Sequence, residues 1–182
     1  MSRVPDGVRE AAARIRLLVL DVDGVLTDGT LWYGPDGEYL KAFHVRDGLG
    51  IRLLRPEGIG VAVLSARRSP ALERRVADLG IEHVVLGRDD KRAALGELLS
   101  SAGVDACDAA CVGDDVLDVP VMRGVGLAIA PADAHALARA EAAWVTEAPG
   151  GRGAVREVAD GLLDARGRLS ACCEALIGTD VG

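Results

Sequence analysis

Between residues 16 and 147 short apolar runs alternate with segments of helical spacing, and this alternation restricts the fold more than any other feature. The runs RLLVLDV (16–22), IGVAVLS (59–65), EHVVLG (82–87), DAACVGD (108–114), GLAIA (126–130) and AAWVTE (142–147) read as strands. Helical candidates lie at 47–58, 69–80, 90–103, 116–125 and 132–140. The segment at 69–80 is punctuated as a helix, with Ser69 as N-cap, Pro70 in the first turn and Gly80 at the end. One stretch breaks the rhythm: TLWYGPDGEYLKAF (30–43) has tight-turn chemistry at GPDG and reads as a β-hairpin. Strands separated by helices of about ten residues make βαβ units, so an α/β fold is expected, its parallel sheet covered on both faces. No internal repeat or long linker interrupts the pattern, and residues 1–182 read as a single domain.

In open parallel sheets ligands bind beyond the carboxyl ends of the strands, so the residues that end each strand are the informative ones. The first strand ends at Asp21 and Asp23, the second at Ser65, the third just before Lys91, and the fourth at Asp114 and Asp115. A period of two is expected to send Asp21 and Asp23 to one side. Neighbouring carboxylates repel unless a cation or shared proton compensates, and hard oxygen ligands suit Mg²⁺. With Lys91 as a point charge and Ser65 as a donor, this set suits phosphoryl transfer through an aspartyl-phosphate. Each residue alone has an ordinary explanation: a turn aspartate, a capping serine, a solvated lysine, Asp115 capping the next helix. Their order and common placement favour chemistry.

Composition excludes other classes. The net charge is −7 and the arginines are scattered singly, which argues against a nucleic-acid surface. No apolar run approaches the roughly 20 residues of a membrane span, and the N-terminus reads as a short helix rather than a signal peptide, so a cytoplasmic location is expected. Cys107, Cys111, Cys172 and Cys173 lack metal-site spacing and read as ordinary thiols. The chain has no Asn or Gln, and its only lysines are Lys41 and Lys91. In so arginine-rich a background a retained lysine draws attention.

The segments DVDGVLTDG, LSAR, Lys91 and GDDVLDVPVM resemble, in order, the four motifs of the haloacid dehalogenase (HAD) superfamily phosphatases. With FHVRDGLGI and GGRGAVREV, the likeness is closest to the capless branch of 3-deoxy-D-manno-octulosonate 8-phosphate (KDO 8-phosphate) phosphatases, over about residues 14–167, leaving 168–182 as a C-terminal tail. The resemblance implies a three-layer, Rossmann-like fold with no large cap domain. It implies Asp21 as nucleophile and Asp23 as acid and then base, its backbone carbonyl joining Asp21 and Asp114 on Mg²⁺. Asp115 and Asp118 would orient the site, and Ser65 and Lys91 would hold the phosphoryl group. Two departures stand out: Ala66 replaces the glycine usual after the motif-two hydroxyl residue, and GRDD precedes Lys91, where Asp89 and Asp90 either cap the helix or disfavour a second anion.

The resemblance also frames the substrate. Arg67 matches the octulosonate pattern, where it would pair with a sugar carboxylate, favouring a KDO 8-phosphate-like substrate over a nonulosonate 9-phosphate. Trp32, Tyr33, Tyr39 and Phe43 lie in or beside the hairpin; packing on their own sheet is one reading, and a homotetramer interface, as in the family, is the other. In APGGRGAVREV (148–158), Gly150, Gly151 and Gly153 read as a flexible loop carrying Arg152 and Arg156 toward an anion, or else as a plain linker. Alternatives remain: a phosphatase for another sugar or nucleoside phosphate in a secondary-metabolite pathway, and a non-catalytic oligomerisation module, which the filled catalytic positions disfavour.

Overall fold

The six apolar runs form the strands of one parallel sheet. The computed structural model describes residues 4–178; residues 1–3 of the N-terminal helix candidate and 179–182 of the tail lie outside the described residues. In chain order the elements are α1 (Arg9–Arg14), β1 (Leu17–Leu20), the hairpin strands β2 (Trp32–Gly34) and β3 (Gly37–Leu40), α2 (Val45–Leu54), β4 (Gly60–Ser65), α3 (Pro70–Leu79), β5 (His83–Leu86), α4 (Lys91–Ala102), β6 (Ala109–Val112), α5 (Val119–Met122), β7 (Leu127–Ala130), α6 (Ala136–Glu141), β8 (Trp144–Val145), α7 (Ala154–Ala165) and α8 (Leu169–Gly178). The sheet order is β5-β4-β1-β6-β7-β8, and the hairpin forms a separate two-stranded sheet.

Central placement of β1 follows from its composition. Leu17–Leu20 is buried throughout and pairs with Gly60–Val63 on one side and Ala109–Val112 on the other. Strand alternation splits its side chains between two layers. Leu18 and Leu20 join Leu54, Val155 and Leu162 beneath α2 and α7, whereas Leu17 and Val19 join Leu95, Leu98 and Met122 beneath α4 and α5. Each such buried leucine stabilises the fold by about 1.5–3 kcal/mol. Both chain ends serve the first layer: Val4 and Ala12 are buried there, and Leu169 and Cys172 of α8 pack against it. The four cysteines form no disulfide.

The chain leaves β1 for β4 and β5 on one side, then crosses to β6 on the other. The crevice beyond β1 and β6 is therefore the topological switch point of the sheet. Two elements near it differ from expectation. The first strand ends at Leu20, not at residue 22, because the Val22 carbonyl accepts the N–H groups of Val25, Leu26 and Thr27 and turns the chain. The helix expected at 116–125 splits into a 3-10 turn, Val116–Asp118, and the single turn of α5. The N–H groups of Asp118 and Val119 donate to carbonyls three residues back, at Asp115 and Val116, and Pro120 has no N–H to carry an α-helical ladder across the junction.

Candidate active site

Asp21 follows β1 directly, and its N–H donates to the Val112 carbonyl at 3.1 Å, continuing the ladder onto β6. Lys91 arrives from the opposite layer as the first residue of α4, which Asp90 caps by accepting the Ala93 N–H. That is the plain capping role weighed for Asp90. The Lys91 ammonium donates to Asp21 Oδ1 at 2.7 Å and to Asp118 Oδ1 at 2.6 Å. Burial would discharge this lysine, but the carboxylates of Asp21 and Asp118 outweigh it and hold the ammonium well above its usual range.

Asp118 is fully engaged. Its Oδ1 serves Lys91, and its Oδ2 accepts the N–H groups of Asp114 and Asp115 at 3.0 and 3.3 Å, fixing the loop after β6. Asp115 caps the 3-10 turn through Val116 N–H, at 2.7 Å, as the capping reading expected. Among the described residues the Asp114 carboxylate forms no hydrogen bond or ion pair. Burial, then the charges of Asp21 and Asp118, push it up to about 8, and burial, then Asp118, raise Asp21 to about 6.

Carboxylate oxygens of Asp21, Asp114 and Asp118 lie within 4.8 Å of one another. Such a cluster is unfavourable on its own and suited to a hard divalent cation, which removes the repulsion that raises these carboxyls. The donor set therefore fits Mg²⁺, with Asp21 and Asp114 supplying free side-chain oxygens.

Asp23 does not join that cluster. Because extended geometry stops before Val22, the two motif aspartates meet different cations: Asp21 meets Lys91, and Asp23 Oδ1 forms an ion pair with Lys41. Lys41 follows β3, has a side chain only 1% exposed, and lies 3.2 Å from Glu38 Oε1. The Asp23 carboxylate lies outside the Asp21–Asp114–Asp118 cluster, so a metal role for Asp23 would fall to its backbone carbonyl. Residue-level reading did not assign Lys41 a place; its signal was its status as one of two lysines.

Ser65 ends β4, is 2% exposed, and accepts the Arg67 N–H at 3.1 Å, leaving its own hydrogen to donate. Ala66 is the small residue between them. Arg67 turns toward the hairpin: its Nη2 donates to Tyr33 OH at 3.1 Å and to Glu38 Oε2 at 3.0 Å, and its Nε lies 3.6 Å from Asp23 Oδ2.

The glycine segment is pinned rather than loose. Gly151 N–H donates to Val25 O at 2.8 Å, and Gly150 N–H to Asp133 at 2.9 Å. A Cβ on Gly150 would overlap the Gly24 carbonyl, so only glycine permits this approach. The loop thus backs the Asp23–Asp28 turn within the same chain. Arg152 pairs with Asp28 at 3.1 Å and Arg156 with Asp160 at 2.7 Å; among the described residues neither pairs with Asp21, Asp23 or Asp114. Asp47, unassigned in the sequence reading, is 1% exposed and accepts the N–H groups of Arg156 and Gly153 at 2.8 and 3.3 Å. It joins FHVRDGLGI to GGRGAVREV.

The chain is similar to known proteins over most of its length. No family model matches the chain. The chain is 50% identical to a 3-deoxy-D-manno-octulosonate 8-phosphate phosphatase of Yersinia pestis over 166 residues, covering 91% of this chain and 89% of the relative. The crystal structure of a phosphatase of that name from the same organism superposes with a TM-score of 0.89, covering 92% and 90% of the two chains. A phosphatase of that name from Moraxella catarrhalis, solved with magnesium, phosphate and KDO, is 36% identical with a TM-score of 0.91, over 95% of this chain and 99% of its own. The cobalt-bound enzyme of Haemophilus influenzae is 46% identical with a TM-score of 0.87, over 88% and 94%.

Proposed function

This chain belongs to the 3-deoxy-D-manno-octulosonate 8-phosphate phosphatase family of the HAD superfamily, and from that membership we propose that it is a Mg²⁺-dependent phosphoric monoester hydrolase of a 3-deoxy sugar-acid phosphate. One observation carries the reading: Lys91 bridges Asp21 and Asp118 at the switch point, beside the free carboxylate of Asp114.

Asp21 is the nucleophile. Lys91 and the cation site hold charge around it, so that a carboxylate can approach a phosphate dianion. Asp21, Asp114 and the Asp23 carbonyl would hold Mg²⁺, whose charge would neutralise the carboxylates and the phosphate. Ser65 donates to a phosphoryl oxygen and Lys91 binds another. Asp23 protonates the departing alcohol and then takes a proton from the water that frees Asp21. Asp118 and Asp115 act indirectly, by holding Lys91 and the Asp114 loop.

Arg67 is the residue proposed to select a substrate carboxylate, with Ala66 leaving room beside it. Gly150, Gly151 and Arg152 shape the rim through the Gly24–Asp28 turn, while Arg156 is held by Asp160. Because Tyr33 and Glu38 already occupy Nη2 of Arg67, a second reading has some support: another small phosphate, a nonulosonate 9-phosphate among them, whose selection does not depend on Arg67. Phosphate release from KDO 8-phosphate, a nonulosonate 9-phosphate, hexose phosphates and nucleotides, each with Mg²⁺, decides between them. Preference for KDO 8-phosphate, lost in Arg67→Ala, is expected; equal feeble rates throughout would exclude the sugar-acid assignment.

The assembly proposed is a homotetramer built on the hairpin. Phe43 packs on the core under Arg75, whose guanidinium carbon is 5.5 Å from the ring centroid, but Trp32, Tyr33 and Tyr39 are exposed. Exposed aromatics grouped on one hairpin favour a partner surface. A cytoplasmic site of action completes the proposal; among the described residues no helix is long and apolar enough to cross a membrane.

A further inference from the structure

The two lysines of the chain are both buried, and each pairs with one of the two aspartates that follow β1. Lys91 and its partner belong to the nucleophile. Lys41 is delivered by the hairpin and cannot easily swing away, because Glu38, beside it, is itself held by Arg67 at 3.0 Å. A buried ammonium is costly unless paired, and a guanidinium in this slot would need room for its planar fork. The pairing is also asymmetric. Asp23 Oδ1 accepts from Lys41, whereas Oδ2 is buried and has no hydrogen-bond partner among the described residues. Arg67 Nε stands 3.6 Å away, outside hydrogen-bond range. Buried polar atoms are seldom left unpaired in a fold without a reason.

We infer that Lys41 is a positioning residue for Asp23: it anchors one carboxylate oxygen and so aims the other, unpaired oxygen at the leaving group. This role rests on the hydrolase reading above and makes the hairpin part of the reaction machinery within one chain. As Asp21 attacks phosphorus, the P–O bond to the sugar breaks and its electron pair stays on the alkoxide, which takes the proton carried on Asp23 Oδ2. In the second half Oδ2 takes a proton from water as its oxygen attacks the aspartyl-phosphate, releasing phosphate and restoring Asp21. Anchoring matters because proton transfer demands near-attack geometry.

The test exploits leaving groups. p-Nitrophenolate departs without a proton, whereas a sugar alkoxide needs one, and kcat/KM covers only the steps through phosphoryl transfer to Asp21. With Mg²⁺, Lys41→Met is expected to lose about 100-fold in kcat/KM on KDO 8-phosphate and less than about threefold on p-nitrophenyl phosphate, with KM nearly unchanged. Lys41→Gln, a gentler change, should show the same selectivity. Added to Asp23→Asn, Lys41→Met should cost nothing further. Equal losses on both phosphates, no loss, or an additive loss in the Asp23→Asn background would overturn the positioning role. A wild-type enzyme inactive on both phosphates would refute the functional reading instead.

Discussion

Gly24 and Asp114 are packed so closely that a Cβ on Gly24 would overlap the Asp114 carboxylate, and Gly24 holds φ at +94°. The turn after Asp23 and the loop after β6 therefore meet through a missing side chain. Gly24→Ala should displace Asp114 and raise the Mg²⁺ concentration for half-maximal activity by about 10–100-fold. A Mg²⁺ titration of phosphate release measures this; an unchanged midpoint would remove Asp114 from the ligand set.

Asp21→Asn keeps the size and polarity of the side chain but removes the proposed nucleophile. Turnover should fall by ~10⁴-fold or more while the elution volume of the protein stays the same. Retained activity would reassign the nucleophile.

Asp47 is buried and accepts two N–H groups at the start of α7. Asp47→Ala leaves them without a partner, at a cost of about 1–2 kcal/mol, and should lower Tm by about 2–8 °C. Activity should fall as well, since α7 carries the glycine loop that backs the Gly24 turn. A thermal melt with a parallel assay checks both.

Metal-free protein should lose stability as pH rises. Burial and neighbouring carboxylates push Asp21 up to about 6 and Asp114 up to about 8, from an ordinary value of 3.8, so the folded state keeps protons that the unfolded chain has released. Stability from this source is complete near pH 4 and is lost as pH climbs through 6 toward 8. Mg²⁺ should reverse the trend by binding the ionised carboxylates. Melts at pH 5 and 8, in EDTA and in Mg²⁺, test the sign; parallel pH trends in the two would argue against a cation at this cluster.

Trp32 and Tyr39 are 54% and 77% exposed. Replacing both by serine should break the proposed tetramer into smaller species with little effect on the fold, read by light scattering and circular dichroism. An unaltered mass would place the interface elsewhere.

The strands were legible because periodicity is local: LLVL, VAVL and AACV each carry their own burial pattern. Boundaries were less so, since the 116–125 segment opens as a 3-10 turn capped by Asp115 and Asp118, whose hydrogen bonds no periodicity reveals. The glycine segment read as flexible, yet it is held by Val25, Asp133 and the Gly24 backbone, contacts more than a hundred residues apart in part. Lys41 was conspicuous by rarity, but nothing local pointed it at Asp23.

By itself the sequence determined the parallel α/β sheet and the order in which Asp21, Ser65, Lys91 and Asp114 reach its carboxyl edge. Both are set by short-range patterns that any chain of this rhythm must satisfy. Only the tertiary structure decided which carboxylate meets which cation. After Leu20 the chain turns, so Asp21 falls to Lys91 from α4 and Asp23 to Lys41 from the hairpin. Asp118 spends one oxygen on Lys91 and the other on the loop after β6, while Asp114 joins Asp21 and Asp118 in the carboxylate cluster. Those pairings depend on segments distant in sequence closing over a low-dielectric crevice, where each buried charge must find a partner.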